Sequence, residues 1–191
     1  WIISGVLLPA LVARLLVGNF RPIDAIVAGI MLVAQPFAEW VLHVTMLHMR
    51  PRKILGRMVD PLFARKHREH HADPRDTELV FIPVPVLVQL LAIALAVTFF
   101  AFSTLATGLT FLVMLSVLGF VYEWMHYLIH SDYRPKTAVY RTLWKNHRLH
   151  HYKNENYWMS ISNTVPDTLF GTNPDPSEVE TSPTATNLLG T

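Results

Sequence analysis

The stretch LVFIPVPVLVQLLAIALAVTFFAFSTLATGLTFLVMLSVLGFVY, Leu79 to Tyr122, contains no Asp, Glu, Lys, Arg or His over 44 residues. One helical crossing of a bilayer takes about 20 apolar residues, so this run predicts two crossings joined by a tight turn. Ser103, Thr104, Thr107 and Gly108 are the natural turn residues. A soluble helical bundle of this length would need a polar stripe along each helix, and the run has none. Upstream, residues 2–20 and 26–49 form a second apolar pair, separated by Asn19, Arg21 and Pro22. Trp1–Phe20 lacks a preceding basic region and a following small-residue cleavage site, so it reads as a span and not as a signal peptide. The predicted fold is an all-α integral membrane protein with four transmembrane helices in two hairpins, at roughly 2–20, 26–49, 80–102 and 106–130. The composition agrees: 51% hydrophobic and 16% charged residues, against about 25% charged in an average soluble domain.

Charge gives the expected orientation. Of the 16 Lys and Arg residues, eight follow the second predicted span and six follow the fourth, leaving only Arg14 and Arg21. The positive-inside rule puts the basic side in the cytoplasm, so segments 50–78 and 131–171 are expected to form a cytoplasmic His-rich helical cap. These segments and the spans are read as a single domain over 1–171. Basic residues beside membrane spans fit anionic headgroups, and no nucleic-acid motif accompanies them. The tail 172–191, TNPDPSEVETSPTATNLLGT, is rich in Pro, Ser and Thr and is expected to be disordered. With no cysteine in the chain, thiolate metal sites and Cys-ligated iron–sulfur clusters are excluded. Histidine and carboxylate are left as the strong ligands.

The histidines are not scattered. All ten fall into four clusters: His43 and His48; His67, His70 and His71; His126 and His130; His147, His150 and His151. Two of the clusters, HREHH and HRLHH, repeat the spacing H-x-x-H-H. Helix positions three and four apart share a face, so each cluster presents several imidazoles together. His43 and His48 are five apart, about 140° around an ideal helix; either they bind different metals or the helix end is distorted. All four clusters lie at or just beyond the same predicted membrane boundary. Ten imidazoles suffice for two transition metals with four or five ligands each, and imidazole suits iron, zinc, copper and nickel. A loose metal-buffering tract would be contiguous, whereas these residues span His43 to His151. A membrane metal transporter would set polar ligands along a path through the bilayer, and Leu79–Tyr122 offers no such file.

Glu123 stands three before His126, and Glu39 one turn before His43. Soluble di-iron bundles use two E-x-x-H motifs with two further glutamates; one motif does not build that site. Glu123 and Glu39 are instead read as acceptors for the N–H of ligating imidazoles. The aromatic residues near the clusters, such as Trp40, Trp124 and Tyr127, fit an interfacial belt. Asp167 and Asn163 are read as capping or turn residues as readily as supports of the site.

The clusters HVTMLH, HREHH, HYLIH and HRLHH, in this order, resemble the fatty acid hydroxylase/sterol desaturase superfamily of membrane di-metal enzymes, over roughly Gln35 to Thr172. The stretches HHADPRDTELVFIPVP, YEWMHYLIH and HHYKNENYW…DTLFGT resemble the fatty acid 2-hydroxylases in particular. The family often has Asp where this chain has Glu123. The resemblance implies that all ten histidines ligate two iron ions, with zinc as a substitute in purified protein. It implies O2 as co-substrate and hydroxylation of a lipid C–H bond in a fatty-acyl or sphingolipid-type 2-hydroxylase reaction. Sterol or carotenoid hydroxylation or desaturation is the neighbouring reading, and a non-catalytic membrane metal-binding protein the alternative of another class. Some relatives begin with a cytochrome b5 domain; no histidine precedes His43 here to hold a haem. The electrons are therefore expected from a separate donor, cytochrome b5-like or a ferredoxin with its reductase. The excess of Arg over Lys points to a bacterial inner membrane in preference to endoplasmic reticulum.

Overall fold

A computed structural model of the protein describes residues 2–190. The fold is mostly helical: α1 (Ile2–Val17), α2 (Pro22–Leu42) continued by a π-helical turn (His43–Leu47), α3 (Leu62–Ala72), α4 (Thr77–Val80), α5 (Val84–Phe100), α6 (Leu105–His130), α7 (Ala138–Tyr152) and α8 (Val165–Leu169). Two three-residue strands, β1 (Arg52–Ile54) and β2 (Arg57–Val59), pair antiparallel. Among the described residues, three stretches are long and apolar enough to cross a membrane: Pro22–Leu47, Thr77–Phe100 and Leu105–His130. The predicted fourth, 2–20, ends early. Gly18 and Asn19 both take left-handed backbone angles, φ 60° and 50°, and close α1 at 16 residues.

The chain divides into two compact units: Trp1–Gln35 with Val84–Tyr122, and Pro36–Pro83 with Glu123–Thr191. In the first, small residues set the packing. Ala10, Ala94 and Leu112 form the buried cluster, with Val6 and Val113 against it. Alanine lets helix backbones approach closely when both sides of an interface are equally apolar. The α5–α6 turn is tighter still: a Cβ on Gly108 would run into the backbone carbonyl of Thr98. The turn itself occupies 101–104, with Thr104 Oγ1 accepting from Thr107 N at 3.2 Å, so Thr107 and Gly108 belong to the first turn of α6. Leu16 and Phe100 are 82% and 88% exposed, apolar surface that a bilayer would cover at little cost.

The same unit explains one of the two leftover basic residues. Arg14 is buried. Its Nη2 donates to Asp24 Oδ2 at 3.0 Å and its Nε to Thr110 Oγ1 at 2.7 Å, while its guanidinium lies 3.9 Å from the Phe20 ring centre. Thr110 Oγ1 in turn donates to Asp24 Oδ1 at 3.2 Å. Three helices are thus tied by one neutralised charge pair. Removing one partner leaves the other charge buried and unpaired, which costs about 3–5 kcal/mol. Asp24→Asn is therefore expected to lower the melting temperature in detergent far more than a conservative change at exposed Ile30, as read by thermal unfolding.

The second unit is built around histidines. Ala64, Ile129, Leu143, Trp158 and Ile161 are buried beside nine of the ten imidazoles, with His48 partly covered. Thr137 caps α7, its Oγ1 accepting from Tyr140 N, and Pro61 starts α3 in extended geometry. Segment 172–190, expected to be disordered, is instead ordered against this unit; its residue 191 lies outside the described residues. Ala185 and Leu188 are buried. Ser182 N donates to Lys153 O at 2.7 Å, and Trp158 N to Thr172 O at 2.7 Å. Polar composition argued for disorder because such a segment cannot bury a core of its own; here it borrows one.

Candidate metal centre

The histidines gather into two groups of five. One holds His43, His48, His67, His71 and His150; the other holds His70, His126, His130, His147 and His151. In each, the candidate ligand atoms lie within 4.8 Å of one another. The two H-x-x-H-H motifs are therefore each divided, and divided in opposite senses. On α3 the i,i+4 pair His67 and His71 enters the first group while His70 enters the second. On α7 the pair His147 and His151 enters the second group while His150 enters the first.

The five-residue spacing of His43 and His48 has its own device. In the π-helical turn His43–Leu47, His48 N donates to His43 O at 3.3 Å, an i→i+5 bond. The wider turn brings residues five apart onto one face, and the two rings sit 4.9 Å apart. The helix end is distorted, and both histidines serve the same group.

Five Nε2···Nε2 distances lie at 3.1–3.2 Å: His43–His67, His71–His150, His70–His130, His126–His147 and His147–His151. Two nitrogens each about 2.1 Å from one ion and at right angles to each other would be about 3.0 Å apart. The tautomers decide what occupies such gaps. His71 Nδ1 bonds Ala185 O at 2.9 Å and His150 Nδ1 bonds Tyr157 O at 2.9 Å. A carbonyl only accepts, so both Nδ1 atoms carry the proton. Their Nε2 atoms are then two lone pairs facing each other at 3.2 Å with no hydrogen to share. A cation turns that repulsion into attraction. His48 Nε2, buried without a hydrogen-bond partner, is likewise a donor suited to a metal. Each group is thus able to hold a metal ion, and an all-imidazole set suits iron or zinc.

Burial keeps the rings in the ligating form. Desolvation holds His67, His147, His150 and His151 well below the usual histidine range and His71 at about 4. In metal-free protein these rings gain protons on unfolding once the pH drops below about 6.5, the ordinary histidine value. Stability is therefore complete above that pH and falls as pH descends toward the folded values. Chelator-treated protein should melt at a clearly lower temperature at about pH 5 than at about pH 7.5, and restoring metal should flatten the difference.

Backbone carbonyls orient several of the imidazoles. His43 Nδ1 donates to Met159 O at 2.5 Å and His126 Nδ1 to Val80 O at 2.9 Å. Glu123 Oε1 accepts from Ile82 N at 3.1 Å, two residues from the carbonyl that holds His126. Glu39 accepts from Ile161 N, Ser162 N and Ser162 Oγ. Both carboxylates hold backbone near ring-bonding carbonyls: Glu123 at Ile82, close to Val80, and Glu39 at Ile161 and Ser162, close to Met159. A third carboxylate does the same. Asp167, fully buried, accepts from Met159 N and Ser160 N at 2.9 Å each and from Trp40 Nε1 at 3.1 Å, and also from Thr172 Oγ1 at 2.6 Å. Four consecutive backbone N–H groups, 159 to 162, thus end on two carboxylates. Beside them Trp158 is held at φ 55°, a conformation that costs a side-chain-bearing residue about 1–2 kcal/mol. The carbonyls of Tyr157, Met159 and Ala185 carry no residue-type signal, so composition and spacing could not reveal them. For Asp167, which the sequence reads as a cap or turn residue as readily as a support of the site, the structure shows the supporting role.

Comparison with known proteins agrees with this geometry. Residues 28–172 match the family model of the fatty acid hydroxylases. The chain is 30% identical over 146 residues to the dihydroceramide fatty acyl 2-hydroxylase FAH1 of Arabidopsis thaliana, covering 72% of this chain and 56% of that relative. It therefore spans little more than half the relative's length. In structure it matches the visible hydroxylase domain of full-length scs7p with a TM-score of 0.74 at 22% identity, over 95% of this chain and 69% of that one; at that identity the likeness concerns the fold. With its paired histidine groups and apolar helices, this membrane protein belongs to the fatty acid hydroxylase family.

Proposed function

We propose that this chain is a membrane-bound di-iron oxygenase that uses O2 and electrons from a separate donor protein to hydroxylate a fatty-acyl or sphingolipid-type lipid at its 2-position. The reading rests on the facing Nε2 lone pairs of His71 and His150, which call for a cation, within five-imidazole groups that come in a pair. When bound, a redox-active iron pair supplies O2 activation and removal of hydrogen from an unactivated C–H bond; a lone zinc cannot. His43, His48, His67, His71 and His150 would hold one iron, and His70, His126, His130, His147 and His151 the other. The chain's own tasks are to bury the imidazoles, fix the tautomers of His43, His71, His126 and His150 through Nδ1 and exclude water. A cavity of about 460 Å³ reaches His130 and is lined in part by Arg75, Thr77, Tyr127 and Tyr133. Arg75 and these hydroxyls suit the polar end of a lipid, so Arg75→Ala is expected to raise KM with little change in kcat.

The same reading puts the histidine groups on the cytoplasmic side, with α1 completing a fourth crossing. Engineered single cysteines, in a chain that has none, test both by reaction with impermeant thiol reagents from each side. The deciding experiment for the reaction is lipid mass spectrometry of cells expressing the wild type and His150→Ala. A lipid one oxygen heavier only with wild type, the hydroxyl placed by fragmentation, is the expected result. Identical lipids would overturn the reading, as would a wild-type protein from iron-supplemented cells that contains only zinc.

A further inference from the structure

The β1–β2 hairpin takes no part in the metal centre, yet its construction is specific. Strands of three residues pair Lys53 with Met58 and Ile54 with Arg57. The turn between them places Leu55 and Gly56 at φ 48° and 79°, the sign pattern of a type I′ turn. The first turn position normally falls to Asn, Asp or Gly, because other side chains resist the left-handed region. Here it is leucine, and that leucine is 100% exposed. Met58 is 62% and Ile54 40% exposed, while Arg52, Lys53 and Arg57 are exposed around them. Such a short two-stranded ribbon is not stable in water by itself.

Its base, by contrast, is fixed. Arg68 donates through Nη1 to Met49 O at 2.7 Å and through Nη2 to Asp60 Oδ1 at 2.6 Å. One guanidinium thus closes the neck of the 49–60 loop onto α3 from both sides. The result is an apolar tip with a basic collar, carried on a rigid stem. Chain connectivity says what it faces. Arg52 lies five residues beyond Leu47, where the candidate span Pro22–Leu47 ends, and so within about 18 Å of it.

We propose that this hairpin is a membrane-interface anchor: Ile54, Leu55 and Met58 enter the headgroup boundary of the adjacent leaflet, and Arg52, Lys53 and Arg57 bind anionic lipid headgroups. A lipid surface offers both an apolar layer for the tip and negative charge for the collar, at the distance the chain allows. The anchor would hold the neck, and through Arg68 the ligand-bearing α3, at a set depth.

The absence of cysteine makes the test direct. Leu55→Cys, carrying an environment-sensitive fluorophore, is placed in nanodiscs of phosphatidylcholine alone or mixed with phosphatidylglycerol. The expected result is blue-shifted emission and severalfold weaker quenching by iodide than in the denatured protein, with both effects larger when phosphatidylglycerol is present. Adding Arg52→Glu, Lys53→Glu and Arg57→Glu should abolish that lipid dependence while leaving metal content unchanged, which separates this proposal from the assignment of the metal centre. Emission and quenching typical of a water-exposed probe in both lipids would overturn it. So would energy transfer between labelled copies, which would mark a contact between protomers. Leu55→Asn gives a second check: it suits the turn better, so a merely structural tip predicts unchanged or higher melting temperature and unchanged depth at a label on Met58→Cys. The anchor predicts a shallower label.

Discussion

Asp167→Ala is expected to strip the metal centre although Asp167 touches no imidazole. The carboxylate accepts from Met159 N, Ser160 N, Trp40 Nε1 and Thr172 Oγ1. Its removal orphans two buried backbone donors at about 1–3 kcal/mol each, a large share of the 5–15 kcal/mol that stabilises a typical domain. The damage passes along the chain. Met159 N is held so that Met159 O can accept from His43 Nδ1, and that bond fixes the tautomer that turns His43 Nε2 toward its group. Loss of such an outer partner costs about 10–100-fold in metal affinity. Asp167→Asn separates the two effects. It keeps Oδ1, which accepts from Met159, Trp40 and Thr172, but sets an NH2 against Ser160 N. Asn is expected to retain most of the stability and lose metal only in part, whereas Ala loses both. Thermal melting and metal content, measured on the same preparations, decide it; an alanine variant with full metal occupancy would show that the loop is not the support described.

The second large effect concerns the order in which metal leaves. In the group of His43, His48, His67, His71 and His150, three rings are pinned through Nδ1 to the carbonyls of Met159, Ala185 and Tyr157. In the other group His126 is pinned to Val80 O and His130 bonds the Pro74 backbone, while Nδ1 of His70, His147 and His151 is buried without a partner. Pinned ligands are preorganised and more basic. A chelator titration should therefore remove metal in two steps, the His70 group emptying first, at about 10-fold or more lower chelator concentration. His70→Ala should abolish the early step and leave the late one, and His71→Ala the reverse, though the residues are neighbours in sequence. A single step, or the same pattern for both variants, would mean that the two groups do not behave as separate sites.

These variants probe the boundary between what the chain's residues announce and what its folding adds. The charge-free run Leu79–Tyr122, the one-sided basic residues and the four histidine clusters are local properties. Hydrophobic length and helical spacing act over a few turns, so membrane helices and an imidazole-rich centre follow from reading along the chain. Spacing alone says that His67, His70 and His71 share a helix face, but not which ion each ring meets. That division depends on where α3 and α7 lie relative to each other and on a π-helical turn that places His48 beside His43. Backbone carbonyls look alike at every position, so the roles of Met159, Tyr157 and Ala185 appear only once the chain is folded. The tail is the clearest case: its composition cannot sustain structure alone, and it is ordered by contacts with residues far from it in sequence, among them Ser182 N to Lys153 O and His71 Nδ1 to Ala185 O.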